Sequence, residues 1–305
     1  MTALVAVAVT LAVVAIGIAG WIYYQTVTEQ RDAVERLERA TADVERAEAA
    51  VLALDEVVRA DVASLTTTRV AEVASQMPTA TTDLDEAIAL IDGSVEMLPD
   101  EEVAYARALR DSAEARREML QHAGPILEAS EKAAAAYGPA MRAWESMREA
   151  KELSRQAVAE YNKLTRESVT RSAQLTRQAN AKITEARTRL DEAAAAFPEV
   201  DLSMYRAYSD EKLAALLLAK QADEAFLAGR LVEANTLGAR FNAAERELAA
   251  KAATLPASPA AQITAAFDRV AGEAKTAYLE ARERATEADD RLRRLEGAGS
   301  DAGAS

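Results

Sequence analysis

The segment 3–24, ALVAVAVTLAVVAIGIAGWIYY, contains no charged side chain, and no other feature limits the possible folds of this chain as much. As a helix rising about 1.5 Å per residue, its 22 residues span roughly 33 Å, against a hydrocarbon core of about 30 Å. Trp21, Tyr23 and Tyr24 close the run, where amphipathic rings prefer the headgroup layer. The expectation is a transmembrane anchor over residues 1–24 that meets membrane lipid, with those three aromatics at the interface. A cleaved signal peptide ordinarily opens with a basic stretch, and the segment has none. Arg31, Arg36 and Arg39 follow the run closely, so the positive-inside rule puts the body in the cytoplasm. Ala8 with Ala12 and Ala15 with Ala19 form small-xxx-small pairs that allow two anchors to approach, as in a homo-oligomer.

Neither proline nor glycine interrupts the chain between Gly20 and Pro78. Val34, Leu37, Val44, Ala47, Val51, Leu54, Val58, Val62 and Leu65 recur mostly at steps of three and four, the stripe of a half-buried helix. The anchor helix is therefore expected to continue as a stalk to about residue 66. Pro78 reads as an interruption, Thr82 as the cap of the next helix, and LPDEEV at 98–103 as a proline-plus-carboxylate helix start.

HAGPIL and AYGPAM set matched Gly-Pro pairs at 124–125 and 138–139, which read as breaks around a short helix. No further break is legible before Pro198, so residues 139–197 read as one helix of 59 residues, about 88 Å long. Tyr161, Leu164, Leu175, Ile183, Leu190 and Phe197 fall on one edge of that helix and form its expected packing seam. Three further helices follow. The first covers 201–228 and ends at Gly229, the second carries Leu231, Ala234, Leu237, Phe241 and Leu248, and the third starts with Ser258 as cap and Pro259 as first residue.

The fold expected is all-α: an N-terminal transmembrane helix, then an elongated coiled-coil-rich helical body ending in a helical bundle. Its parts are the anchor at 1–24, a membrane-proximal stalk with short helices at 25–137, a long central helix at 138–197, a C-terminal three-helix unit at 198–296 and a disordered tail at 297–305. Composition agrees, with 28% charged residues, 5% aromatics and few Gly or Pro, the profile of long helices. Arg outnumbers Lys by 28 to 8 beside abundant Ala, a bias typical of GC-rich bacterial genomes.

FLAGRLVEANTLGARF, with Gly229, Ala234 and Phe241, resembles the turn and second helix of a tetratricopeptide repeat. It covers one hairpin, and no 34-residue self-similarity accompanies it, so a generic helical hairpin describes it better. The anchor followed by YYQTVTEQRDAVERL, with AEYNKL later, is similar to the LemA family of membrane-anchored helical proteins. The chain lacks that family's basic-plus-proline segment and spaces the matching pieces further apart, so the resemblance is not adopted.

Chemistry is hard to find in this sequence. There is no cysteine, which removes disulfides, thiolate nucleophiles and sulfur-ligated zinc. His122 is the sole histidine, one turn from Glu118, and a di-iron bundle needs a Glu-x-x-His on each of two helices. Ser209 and Lys212 have the Ser-x-x-Lys spacing of some acyl-enzymes, without their companion motifs, and Ser209 reads as a helix-start residue. Net charge is −14, which disfavours nucleic acid as a partner. Residues 83–102 hold eight acidic side chains and no basic one, read as a solvated face sooner than a docking patch. The segment from Lys163 to Arg189 is locally basic, with charges placed to pair with a facing helix.

The expectation is thus a protein that is not an enzyme and uses no cofactor and no metal. It would act as a membrane-anchored scaffold or spacer that engages protein partners, or itself, through coiled-coil faces. The alternative is an extracytoplasmic helical sensory or ligand-binding module on the same anchor.

Overall fold

The computed structural model describes the backbone of residues 2–302 and the side chains of residues 25 and 27–297. Among the described residues the chain is all-α, with eight α-helices, one short 3-10 turn and no strand. They are α1 (Thr2–Arg59), the turn Val62–Ser64, α2 (Thr67–Asp92), α3 (Asp100–Gln121), α4 (Ala123–Tyr161), α5 (Arg166–Ala196), α6 (Ser203–Leu227), α7 (Leu231–Ala252) and α8 (Pro259–Ala302). No helix among the described residues is long and apolar enough to cross a membrane. The expected anchor, with Trp21, Tyr23 and Tyr24, lies where no side chain is described.

The helices form two compact units. The first takes Met1–Val58, Glu72–Gly124 and Glu273–Ser305, and the second takes Arg59–Ala71 and Pro125–Gly272. The expected division at 198 therefore does not hold: α8 opens in the second unit and belongs to the first from Glu273 onward, while α4 and α5 share the second unit with α6 and α7. Helicity also runs through Ala302, past the expected start of a disordered tail at 297.

In the first unit α1, α2, α3 and α8 lie side by side. The stripe of α1 is buried at Leu37, Val44, Ala47, Val51 and Leu54, as its spacing implies. Charged pairs tie the helices together: Arg46 of α1 to Asp83 of α2 at 2.8 Å, Arg117 of α3 to Asp85 of α2 at 2.6 Å, and Arg282 of α8 to Asp55 of α1 at 2.7 Å. Arg110 meets Asp92 at 2.6 Å, so three carboxylates of the acidic stretch 83–102 are taken up by arginines of the same chain.

Two prolines expected to break helices sit inside them. Pro78 is in α2, and Thr82, instead of capping, donates its hydroxyl hydrogen to the Pro78 carbonyl at 3.0 Å. Val73, Ala80, Leu84, Ala87 and Ile91 are buried along that helix, and their burial outweighs the roughly 3 kcal/mol that an interior proline costs. Pro139 lies inside α4, flanked by buried Ala136, Ala140 and Ala143. Pro125 falls in the first turn of α4, where its missing N–H leaves no intrahelical bond unmade.

The second unit is built on thin side chains. Ala133, Ala136, Ala140, Ala143, Met147 and Ala150 of α4 and Ala179, Ile183, Ala186, Leu190 and Ala193 of α5 belong to one core. Small residues along the contact bring helix axes toward the short end of the usual 8–10 Å range. α5 also packs on α6, and α6 on α7. Phe197 and Tyr205 are fully buried, and Tyr205 meets Trp144 edge to face at 5.9 Å.

The expected 59-residue helix is broken. Helix α4 ends at Tyr161 and α5 starts at Arg166, because Leu164 turns into the left-handed region with φ 53°. Thr165 then restarts the helix through a capping box with Ser168, in which two otherwise unpaired N–H groups are satisfied reciprocally. The expected seam divides accordingly. Ile183, Leu190 and Phe197 are fully buried, Leu175 is half-buried, Leu164 is 58% exposed in the connection, and Tyr161 is the last residue of a different helix.

Candidate functional site

Helix α6 buries an apolar stripe through Tyr205, Leu216, Ala222 and Ala225, yet two charged residues, Lys212 and Asp223, fall on that same face at 2% and 1% exposure. Buried charges are costly unless paired, so the partners of these two groups decide what the face can do.

Lys212 is paired. Its ammonium donates to Glu245 Oε1 of α7 at 2.5 Å and to Ser154 Oγ of α4 at 3.1 Å. Burial pulls its pKa down, and the Glu245 carboxylate opposes that shift. The Ser154–Lys212 separation is that of a nucleophile and its base. An ammonium bound to a carboxylate has no free lone pair, however, so Lys212 serves as a strut joining α4, α6 and α7. The Ser-x-x-Lys spacing noted in the sequence joins nothing: Ser209 lies inside α6 and donates to the Tyr205 carbonyl at 2.9 Å, so it is not a helix-start residue either.

Asp223 has a different environment. Thr176 Oγ1 of α5 donates to its Oδ2 at 3.4 Å, and the Ser172 hydroxyl of the same helix also favours its charged form. No Lys or Arg lies within ion-pair distance of it among the described residues. Burial pushes its carboxyl up to about 6, with the hydroxyls of Ser172 and Thr176 opposing.

Beside it is Tyr161, whose hydroxyl is buried without a hydrogen-bond partner. Burial raises the phenol's pKa, and the charge of Asp223 raises it further. The Tyr161 ring is held edge to face against Phe226 at 6.0 Å.

These groups line a cavity of about 70 Å³ between α4, α5, α6 and α7, with Leu216 and Phe241 as apolar wall and the exposed Asn162 and Asn242 among its other lining residues. Ser154, Val158, Phe241 and Asn242 also line a broader cleft of about 870 Å³ on the α4–α7 side, so the two spaces share a wall. The cleft is floored by Trp144, Met147, Tyr208 and Leu255 and edged by Arg148, Lys151 and Arg246.

Of the seam residues expected from the sequence, only Tyr161 reaches this cavity. Asp223, Lys212, Ser154 and Thr176 escape a reading built on apolar periodicity. Their signal in the sequence is two charges at seam positions of α6, where a helix that packs along one face ordinarily carries none. His122 ends α3, with its N–H turned to the Glu118 carbonyl at 3.3 Å, and Glu118 is held below the usual carboxylate range by Arg284. Among the described residues no group of three or more His, Asp or Glu is placed to hold a metal ion. Comparison of the chain with protein-family models, with curated proteins and with solved structures finds no match.

Proposed function

We propose that the chain is a single-pass membrane protein whose helical body binds a small ligand between α4, α5, α6 and α7. One observation carries the binding part: a carboxylate buried to 1% has no cationic partner and stands beside a buried tyrosine hydroxyl that has no hydrogen-bond partner. A fold that only needed packing at this point would place leucine or alanine there, as it does at Leu216, Ala222 and Ala225 of the same helix, since burying a charge without an opposite one is costly. The membrane part rests on the uncharged segment 3–24 with its terminal Trp21, Tyr23 and Tyr24, and on Arg31, Arg36 and Arg39, which favour a cytoplasmic body.

A second reading, a scaffold for protein partners or for a second copy of the chain, draws on a different observation. Leu231 and Val232 are adjacent at the start of α7 and 54% and 83% exposed, leaving apolar surface for a partner. The coiled-coil seam itself is not available for this purpose, because Ile183, Leu190 and Phe197 are covered within the unit.

Native mass spectrometry of the full chain extracted from membranes separates the two. A bound small molecule that disappears in Asp223→Asn supports the ligand reading. A ligand-free chain carrying a stoichiometric protein, or pairing with itself, supports the scaffold. A reporter fused after Ser305 reads the side of the membrane, and recovery of the full chain in the aqueous fraction overturns the anchor.

A further inference from the structure

The cavity's donors and acceptors are unevenly supplied. Asp223 presents a carboxylate, Thr176 already spends its hydroxyl hydrogen on it, and Tyr161 offers an unused hydroxyl. Asn162 and Asn242, also in the lining, can each turn an amide oxygen inward. What the space lacks is a positive charge to face Asp223. Among the described residues no protein cation supplies it. Lys212 is engaged by Glu245 and Ser154, and Arg177 is exposed on α5 and acts on Asp223 only at longer range.

We infer that the cavity takes the head of a primary amine, an alkylammonium whose nitrogen meets the Asp223 carboxylate and the Tyr161 hydroxyl. This rests on the ligand-binding reading above and names the class of ligand. An ammonium carries three donors and no acceptor, which suits a lining that holds a carboxylate, a phenol oxygen and amide oxygens. Size agrees as well: 70 Å³ corresponds to about five water-sized spheres, enough for a nitrogen and a short methylene chain. Phe241 and Val158, shared with the broader cleft, would cover the methylenes, and the rest of the ligand would extend into that cleft. A quaternary ammonium has the charge without the N–H donors and would satisfy neither oxygen.

The bound state requires an ionised Asp223, so affinity declines as pH falls through about 6. The other groups facing that carboxyl are Tyr161 of α4, Arg177 of α5 and Glu224 of α6, with α7 contributing the uncharged Gly238 and Asn242.

The test is ligand-observed NMR titration of the full chain in detergent at pH 7.5, with n-butylammonium, tetramethylammonium, butyrate and 1-butanol as separate probes in the millimolar range. Butylammonium is expected to bind, tetramethylammonium about tenfold more weakly or not at all. Asp223→Asn, which keeps the shape, is expected to weaken butylammonium about 30-fold or more. Tyr161→Phe, which keeps the ring against Phe226, is expected to weaken it about tenfold. Thermal unfolding by circular dichroism checks that both variants are folded. Equal binding by wild type and Asp223→Asn, or no binding of butylammonium to wild type, overturns the inference. Binding of butyrate or butanol in its place, lost on Phe241→Ala, overturns the amine head while leaving a ligand-binding body. Silence of all four probes, with no small molecule seen by mass spectrometry, removes both readings together.

Discussion

The two units differ in how completely they answer buried charge. In the first, Arg116 of α3 is buried to 7% and fully answered: its guanidinium donates to both carboxylate oxygens of Asp289 of α8 at 2.8 and 2.9 Å, and Ser112 donates to Asp289 at 2.7 Å. Asp43 and Asp83, buried as well, share Arg46. In the second unit Lys212 is answered by Glu245, and Asp223, on the same helix three turns later, is not. Where every buried charge closes on another, the pairs fix which helix lies beside which. A carboxylate left over inside otherwise alanine-rich packing marks a place where the fold gives up stability for something else, and the candidate is binding.

The largest effect that sharpens this contrast is expected from Asp289→Ala, which strands a buried guanidinium. Breaking a buried pair from one side costs roughly 3–5 kcal/mol, and urea unfolding of the first unit's signal reads it. Replacing both partners, Arg116→Met with Asp289→Leu, is expected to recover most of that loss. If the single variant is as stable as the parent, the pair fixes nothing.

Next in size is the pH dependence of the second unit. The carboxyl of Asp223 stands at about 6 in the folded chain against 3.8 ordinarily, so between those values the folded form holds more protons than the unfolded one. Stability therefore falls as pH rises from about 4 through 6. A displacement of this size corresponds to at most about 3 kcal/mol. Comparing unfolding free energies across this window, Asp223→Asn is expected to gain on the parent as pH rises. A saturating amine is expected to restore the parent above pH 6. Parallel pH profiles for the two proteins would place Asp223 with the satisfied charges of the first unit.

The smallest effect concerns the joint between α4 and α5. Leu164 holds φ 53°, a conformation that costs a side-chain-bearing residue roughly 1–2 kcal/mol and glycine much less. Leu164→Gly is expected to stabilise the second unit by up to about 1 kcal/mol in thermal unfolding, since the residue is 58% exposed and little packing is lost. A loss of stability instead would mean that the continuous helix read from the sequence is the better description there.

That joint shows where the sequence is opaque. A helix break ordinarily announces itself through glycine or proline, and residues 162–165 contain neither. The turn is made by Leu164 and is legible only in the Thr165–Ser168 capping box. The reverse error occurs at Pro78 and Pro139, where breakers are present and the helix continues because buried residues flank them on the same face. Starts marked by a proline or by a glycine just before them, such as those at Asp100, Leu231 and Pro259, are readable to within a few residues. The seam positions Ile183, Leu190 and Phe197 follow from periodicity alone. The cavity does not, because a charge at a seam position looks like solvated surface until the helix covering it is known.

The most direct measurement is the titration of the Asp223 side-chain carboxyl by ¹³C NMR in the full chain, with and without butylammonium. A midpoint near 6 that moves clearly downward when the amine is present is expected if this carboxylate waits for a cation. A midpoint near 3.8 that ignores the amine would show the group to be already satisfied by the protein and would contradict the contrast between the two units.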